Sequence, residues 1–143
     1  MKLEHSVFLI KKIPTRNASF AITTSCHSHT VIHYQYIGWP DTSYPESGSC
    51  ILGLIGQLQK VQCDAMGSVV VHCSGGAGRT GVFIALCNLI ERVRVESVID
   101  VFKTVRELRD QRPAMVQTKQ EYLFCYLAFQ DFLASFDIYQ NFL

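Results

Sequence analysis

Val69-Val70-Val71-His72-Cys73-Ser74-Gly75-Gly76-Ala77-Gly78-Arg79-Thr80-Gly81 is the stretch on which the reading of this chain turns. Three consecutive β-branched residues with no polar interruption have the pattern of a central strand buried on both faces. The glycines end that run. Val82, Phe83, Leu86, Ile90 and Val93 then recur at helical spacing. Strand, glycine-rich turn and helix together form a phosphate-binding geometry, because backbone N–H groups and the helix dipole converge on an anion.

Three chemistries use this geometry, and the residues separate them. A nucleotide P-loop closes with Gly-Lys-Ser/Thr, whereas here the glycine is followed by Arg79 and the loop has no lysine. Gly76, Gly78 and Gly81 do match the dinucleotide fingerprint. That fingerprint requires a second strand after the helix, ending in an acidic residue, but another amphipathic helix follows Glu96. The third chemistry uses every residue. A cysteine at the strand end lies at the bottom of the amide cradle, where a helix N-terminus and a guanidinium lower its pKa. Arg79 can grip a phosphoryl group with two parallel bonds, as lysine cannot. The Thr80 hydroxyl can donate to the thiolate. The small residues Ser74, Gly75, Gly76, Ala77 and Gly78 let the backbone close around a dianion. Cys73 then attacks phosphorus and carries a thiophosphate. The plainer reading, Cys73 as a small buried hydrophobe, leaves the Arg-Thr-Gly behind it unexplained. Phosphoryl transfer also needs a proton donor for the leaving group. Asp41, in Trp39-Pro40-Asp41, is the candidate, on a loop that Pro40 and the Trp39 ring would swing as a unit.

The rest of the chain reads as strands Ser6 to Ile13, Ala18 to Thr23 and Val31 to Ile37, with a polar loop through Ser25 to Ser28. Pro40 stops the third strand. Ile51, Leu54, Ile55 and Leu58 mark a helix. Ser97 with Asp100 predicts an N-cap for the next helix, with Val98, Phe102, Val105 and Leu108 on one face, and Pro113 breaks it. Thr118 and Glu121 predict a capping box for a last helix through about Phe136. The order predicts an α/β domain with a mixed sheet flanked by helices.

Composition narrows the function. The 143 residues are 48% apolar and 17% charged, with 13 basic and 12 acidic side chains for a net charge of +1. That balance offers no field to attract nucleic acid. No apolar run is long enough for a membrane span, and the N-terminal stub is too short for a signal peptide. The six cysteines are spread through apolar segments and read as reduced thiols. Cys26-His27-Ser28-His29 matches no zinc spacing and reads as a solvated hairpin loop. The aromatic residues Tyr122, Phe124, Tyr126, Phe129 and Phe132 of the last helix read as core.

Trp39-Pro40-Asp41, the His72 to Gly81 stretch, and Arg112-Pro113-Ala114-Met115-Val116-Gln117-Thr118 resemble, in order and spacing, three signature loops of the protein tyrosine phosphatases. Asp100 to Thr118 and Ala134 to Tyr139 look most like a receptor-type member, in its second, membrane-distal domain. The resemblance implies a cysteine phosphatase-like α/β fold, and residues 1–143 as the C-terminal part of a phosphatase domain whose N-terminal part is absent. It implies hydrolysis of phosphotyrosine without metal or cofactor, with Cys73 as nucleophile, Arg79 as clamp, Asp41 as general acid and then base, and Gln117 placing the hydrolytic water. Phosphotyrosine proteins and another phosphatase domain are the implied partners, and the cytoplasmic part of a single-pass receptor the implied location.

Thr42-Ser43-Tyr44 departs from the family's His or Phe, Gly and Val. Gly75 and Ala77 replace an alanine and a β-branched residue, and Glu121 stands where the family has a second glutamine. The upstream stretch that sandwiches the phosphotyrosine ring has no counterpart. An alternative reading is therefore a weak or inactive phosphatase-like module that binds phosphotyrosine or a partner phosphatase domain. The expectation for these residues alone is a chain that is neither stable nor active.

Overall fold

A computed structural model describes residues 5–10, 13–23, 28–39, 44–64 and 68–140. They form β1 (His5–Ile10), β2 (Ile13–Thr23), β3 (Ser28–Ile37), α1 (Ser49–Asp64), β4 (Ser68–His72), α2 (Gly78–Glu96), α3 (Val101–Gln111) and α4 (Lys119–Gln140). The strand order is β2-β3-β1-β4. β1 runs parallel to both β3 and β4, and β2 is antiparallel to β3, so the sheet is mixed, as expected. The β2–β3 register shifts between Ile13 and Arg16. Pro14 lies there, and its missing N–H cannot serve the ladder.

β4 departs from the expectation of a strand covered on both sides. It pairs only with β1 among the described residues and forms an edge of this sheet. Val69 and Val71 pack against the core. Val70, which points the other way by strand alternation, is 43% exposed. The uninterrupted valines are suited to burial on both faces, but described residues cover only one.

Helix α2 runs through the middle of the core. Val82, Phe83, Ala85, Leu86, Leu89 and Ile90 are all buried, against Ile51 and Ile55 of α1, Val105 and Leu108 of α3, and Phe124 and Phe129 of α4. The start of α1 is tied to α4. The Gly48 N–H donates to Asp131 Oδ2 at 3.1 Å, and Ala128 occupies the space where a Cβ at Gly48 would stand.

The helix boundaries correct one expectation. Ser97 does not cap α3. It adopts a left-handed conformation (φ 55°) and closes α2, its N–H donating to Val93 O at 3.2 Å. Asp100 is the cap, accepting from the Lys103 N–H at 2.8 Å. Starting the helix three residues later turns its buried face to Val101, Thr104, Val105 and Leu108, leaving Val98 outside the helix and Phe102 63% exposed. The last helix begins as the sequence predicts. Thr118 N–H donates to Glu121 Oε2 at 2.9 Å and Glu121 N–H to Thr118 Oγ1 at 3.0 Å, the two halves of a capping box. Of its aromatic residues Phe124 and Phe129 are core, while Tyr126 is 43% exposed.

Among the described residues no helix is long and apolar enough to cross a membrane, and no group of three His, Cys, Asp or Glu side chains could hold a metal. Cys26 and His27 lie outside those residues. Ser28 and His29 open β3, earlier than the predicted strand start.

Candidate active site

Cys73 follows directly on β4, half-buried, and four residues separate it from α2. Gly76 turns the chain at φ +65°, a conformation glycine adopts without strain, and a Cβ there would come within 3.1 Å of the Arg112 guanidinium. Ala77 and Gly78 are buried; Ser74 and Gly75 are open to solvent. The Ala77 carbonyl accepts from Gly81 N–H at 2.9 Å and from Val116 N–H at 3.2 Å. No side chain caps the start of α2, so its free amide donors are available to an anion.

Those donors act on the thiol. Burial pushes Cys73 up, but the Thr80 hydroxyl and the backbone N–H groups of Thr80, Gly76 and Ala77 together outweigh it and hold the thiol below its ordinary range. Thr80 Oγ1 is fully buried and completes no hydrogen bond of full geometry in this state. Its proximity still favours the charged sulfur, which as a thiolate is the stronger acceptor. A buried hydroxyl left without a partner costs about 1–3 kcal/mol, and ionisation of Cys73 relieves that cost.

Two other thiols are of the opposite kind. Burial drives Cys87 and Cys125 each to about 12. Since the thiolate is the reactive form, iodoacetamide below neutral pH should alkylate Cys73 well before Cys87 or Cys125, as peptide mass mapping would show. Equal labelling of the three would contradict the site's electrostatics.

A second loop, residues 112–118, lies on the first. Arg109 holds it from behind, Nε donating to Met115 O at 2.9 Å and Nη2 to Val116 O at 2.7 Å. With Ala77 O receiving the Val116 N–H, these bonds hold Ala114 and Val116 at φ 66° and 56°. A left-handed conformation at a buried valine is strained and persists only where the surroundings over-determine it. A Cβ at Gly81 would run into the backbone of Met115 and Val116. Gly81→Ala should therefore cost about 1–3 kcal/mol, read as a lower midpoint in urea unfolding. An unchanged midpoint would mean that the two loops are not packed as described.

The loop brings two side chains to the start of α2. Where a Cβ of Gly78 would stand, Glu121 Oε1 is the nearest atom, and Gln117 Oε1 lies 3.1 Å away. The sequence reading placed Gln117 here. Glu121, which by the resemblance stands where the family has a second glutamine, is both here and in the capping box. The closeness of Arg112 to Gly76 and the grip of Arg109 on the second loop are not readable from the sequence. The one signal for Arg112 is its place at the head of the Arg112 to Thr118 signature loop; Arg109 has none. Arg79 stands in the first turn of α2, half-buried.

Asp41 lies outside the described residues, as do Pro40, Thr42 and Ser43. The residues on either side of that segment pack on one ring. Trp39, 1% exposed, meets Phe124 edge-on at 5.5 Å, and Tyr44 stacks on Phe124 at 5.3 Å. Trp39 also meets Tyr36 edge-on at 6.4 Å. The indole is thus packed into the core.

Fold and site define an α/β protein with a cysteine-centred anion cradle at a helix N-terminus. The family model described as protein-tyrosine phosphatase matches residues 4–131, and the chain belongs to that family. Among its relatives, tyrosine-protein phosphatase Lar of Drosophila melanogaster is 51% identical over 116 residues, 80% of this chain and 6% of that protein. Receptor-type tyrosine-protein phosphatase S of Gallus gallus is 51% identical over 114 residues, 78% of this chain and 8% of that protein. The crystal structure of the catalytic domain of human protein tyrosine phosphatase non-receptor type 18 superimposes with a TM-score of 0.76 at 22% identity, covering 88% of this chain and 59% of that one. The chain thus spans a small part of these curated relatives and 59% of the solved chain.

Proposed function

We propose that residues 1–143 are the C-terminal part of a receptor-type phosphatase domain that hydrolyses phosphotyrosine through a cysteinyl phosphate. The observation that carries this is the Cys73 thiol, drawn below its ordinary range by loop amides and Thr80 at the head of α2. The amides of residues 74–79 and the Arg79 guanidinium hold the three non-bridging phosphoryl oxygens. Cys73 sulfur attacks phosphorus, and the P–O bond to the tyrosine breaks with its electron pair going to the phenolic oxygen. Asp41 protonates that oxygen. A water placed by Gln117 then attacks phosphorus and gives its proton to Asp41. The S–P bond breaks, and Cys73 returns as thiolate with inorganic phosphate as product. The substrates are phosphotyrosine proteins, a second phosphatase domain is a partner, and the setting is the cytoplasmic part of a receptor.

One observation favours a second reading, a module that binds phosphotyrosine without turnover. Tyr44, next to the acid-bearing segment, is stacked on Phe124, which opposes closure of that segment over substrate. The experiment uses the complete domain, these residues joined to their upstream half. Release of phosphate from a phosphotyrosyl peptide but not a phosphoseryl one, lost in Cys73→Ala, supports the enzyme. Binding of the phosphotyrosyl peptide with no release supports the module.

A further inference from the structure

We infer that the outer face of α4 is a surface on which a second copy of this chain docks, antiparallel and about a two-fold axis. The inner side of α4 is taken up by Phe124, Cys125, Ala128 and Phe129, all buried in the core. On the opposite side Gln120, Leu123, Tyr126, Leu127, Gln130 and Ala134 are exposed. Apart from Tyr126 they recur at alternating steps of three and four, the spacing with which one helix presents a seam to another. Leu123 is 47% exposed, Tyr126 43% and Leu127 40%. The middle of the stripe is therefore apolar, where a helix facing only water carries charged and polar residues. Two polar groups at its edges already have partners within the chain. The Tyr126 hydroxyl shares a hydrogen bond of 2.9 Å with that of Tyr122, and Asp131 Oδ2 accepts from the Gly48 N–H at 3.1 Å.

Charge selects the occupant. The stripe itself carries no charged residue, and Lys119 stands at one end of it and Asp137 at the other. They are 18 residues apart, about five turns or 27 Å, and so lie on one line of the helix. A second α4 laid antiparallel brings Lys119 of each copy level with Asp137 of the other. A parallel one would set lysine against lysine and aspartate against aspartate. The antiparallel register centres the pair on residue 128. Leu127 then lies within about 3 Å, measured along the axis, of Leu127 of the second copy. Leu123 comes level with Ala134 of the second copy, whose small side chain leaves room for it. One patch thus meets itself, as a two-fold axis requires. A single helix pair buries less than the roughly 1,200 Å² of a stable complex, so the association is weak and reversible.

Sedimentation equilibrium of the complete domain reads mass and not hydrolysis, so it tests this surface apart from the phosphatase reading. The parent should pass from monomer to dimer with a dissociation constant on the order of 0.1 mM. Leu127→Glu sets two carboxylates against each other at the axis and should weaken the dimer at least about tenfold. Lys119→Asp and Asp137→Lys should each weaken it about threefold. The two together should restore it, because opposite charges face each other again while every apolar contact is kept. A parent that stays monomeric up to about 1 mM would overturn the inference and leave the face to a different partner. A dimer indifferent to Leu127→Glu would also overturn it, since its interface would lie elsewhere. Single exchanges whose losses the double exchange fails to restore would overturn the antiparallel register.

Discussion

The Cys73→Ser protein, in the complete domain, should hydrolyse no aryl phosphate above background, a loss on the order of 10⁴-fold or more. The reason lies in the ionisation of one atom. Around the sulfur, the backbone N–H groups of Gly76, Ala77 and Thr80 and the Thr80 hydroxyl overcome the burial penalty and favour a charged thiolate. A serine hydroxyl ionises so far above physiological pH that the same donors cannot make it a nucleophile. They remain in place as an anion site. Phosphate or vanadate should accordingly bind the variant nearly as well as the parent by calorimetry, and loss of binding along with turnover would mean that Cys73 holds the loop together.

Arg79→Lys tests the clamp. It keeps the charge but replaces a planar fork by a single ammonium, so the paired bonds to phosphoryl oxygens are lost at the moment when charge on them is redistributed. A fall in kcat/KM of at least about tenfold, roughly 1.4 kcal/mol, is expected. An unchanged value would make Arg79 a structural residue of the first turn of α2.

Much of the site could be read from the sequence because its signals are local. The strand, glycine turn and helix of residues 68–96 lie where hydrophobic periodicity placed them. Pro113 stands just beyond the end of α3, and the Thr118–Glu121 box forms both its bonds. What escaped depends on contacts distant in sequence or on competing local choices. Ser97 and Asp100 are both cap-type residues, and only the left-handed turn at Ser97 decides which one starts α3. The valine run of β4 states which surfaces tolerate burial, not which are covered, and Val70 remains exposed. Arg109 is committed to two backbone carbonyls of the second loop, a pairing that no pattern of charge along α3 predicts. The closeness of Gly81 to the Met115–Val116 backbone likewise arises only when α4 folds back on α2.

The most direct test is to catch the covalent intermediate. Gln117→Ala slows removal of the phosphoryl group without touching the nucleophile, so the intermediate should accumulate. A complete domain with this substitution is mixed with a phosphotyrosyl peptide, quenched in acid within the first turnovers, digested and read by mass spectrometry. The phosphatase account predicts phosphate on the peptide containing Cys73, on its sulfur, with one equivalent of dephosphorylated peptide released per site. Continued release of phosphate with Cys73 unmodified would contradict it.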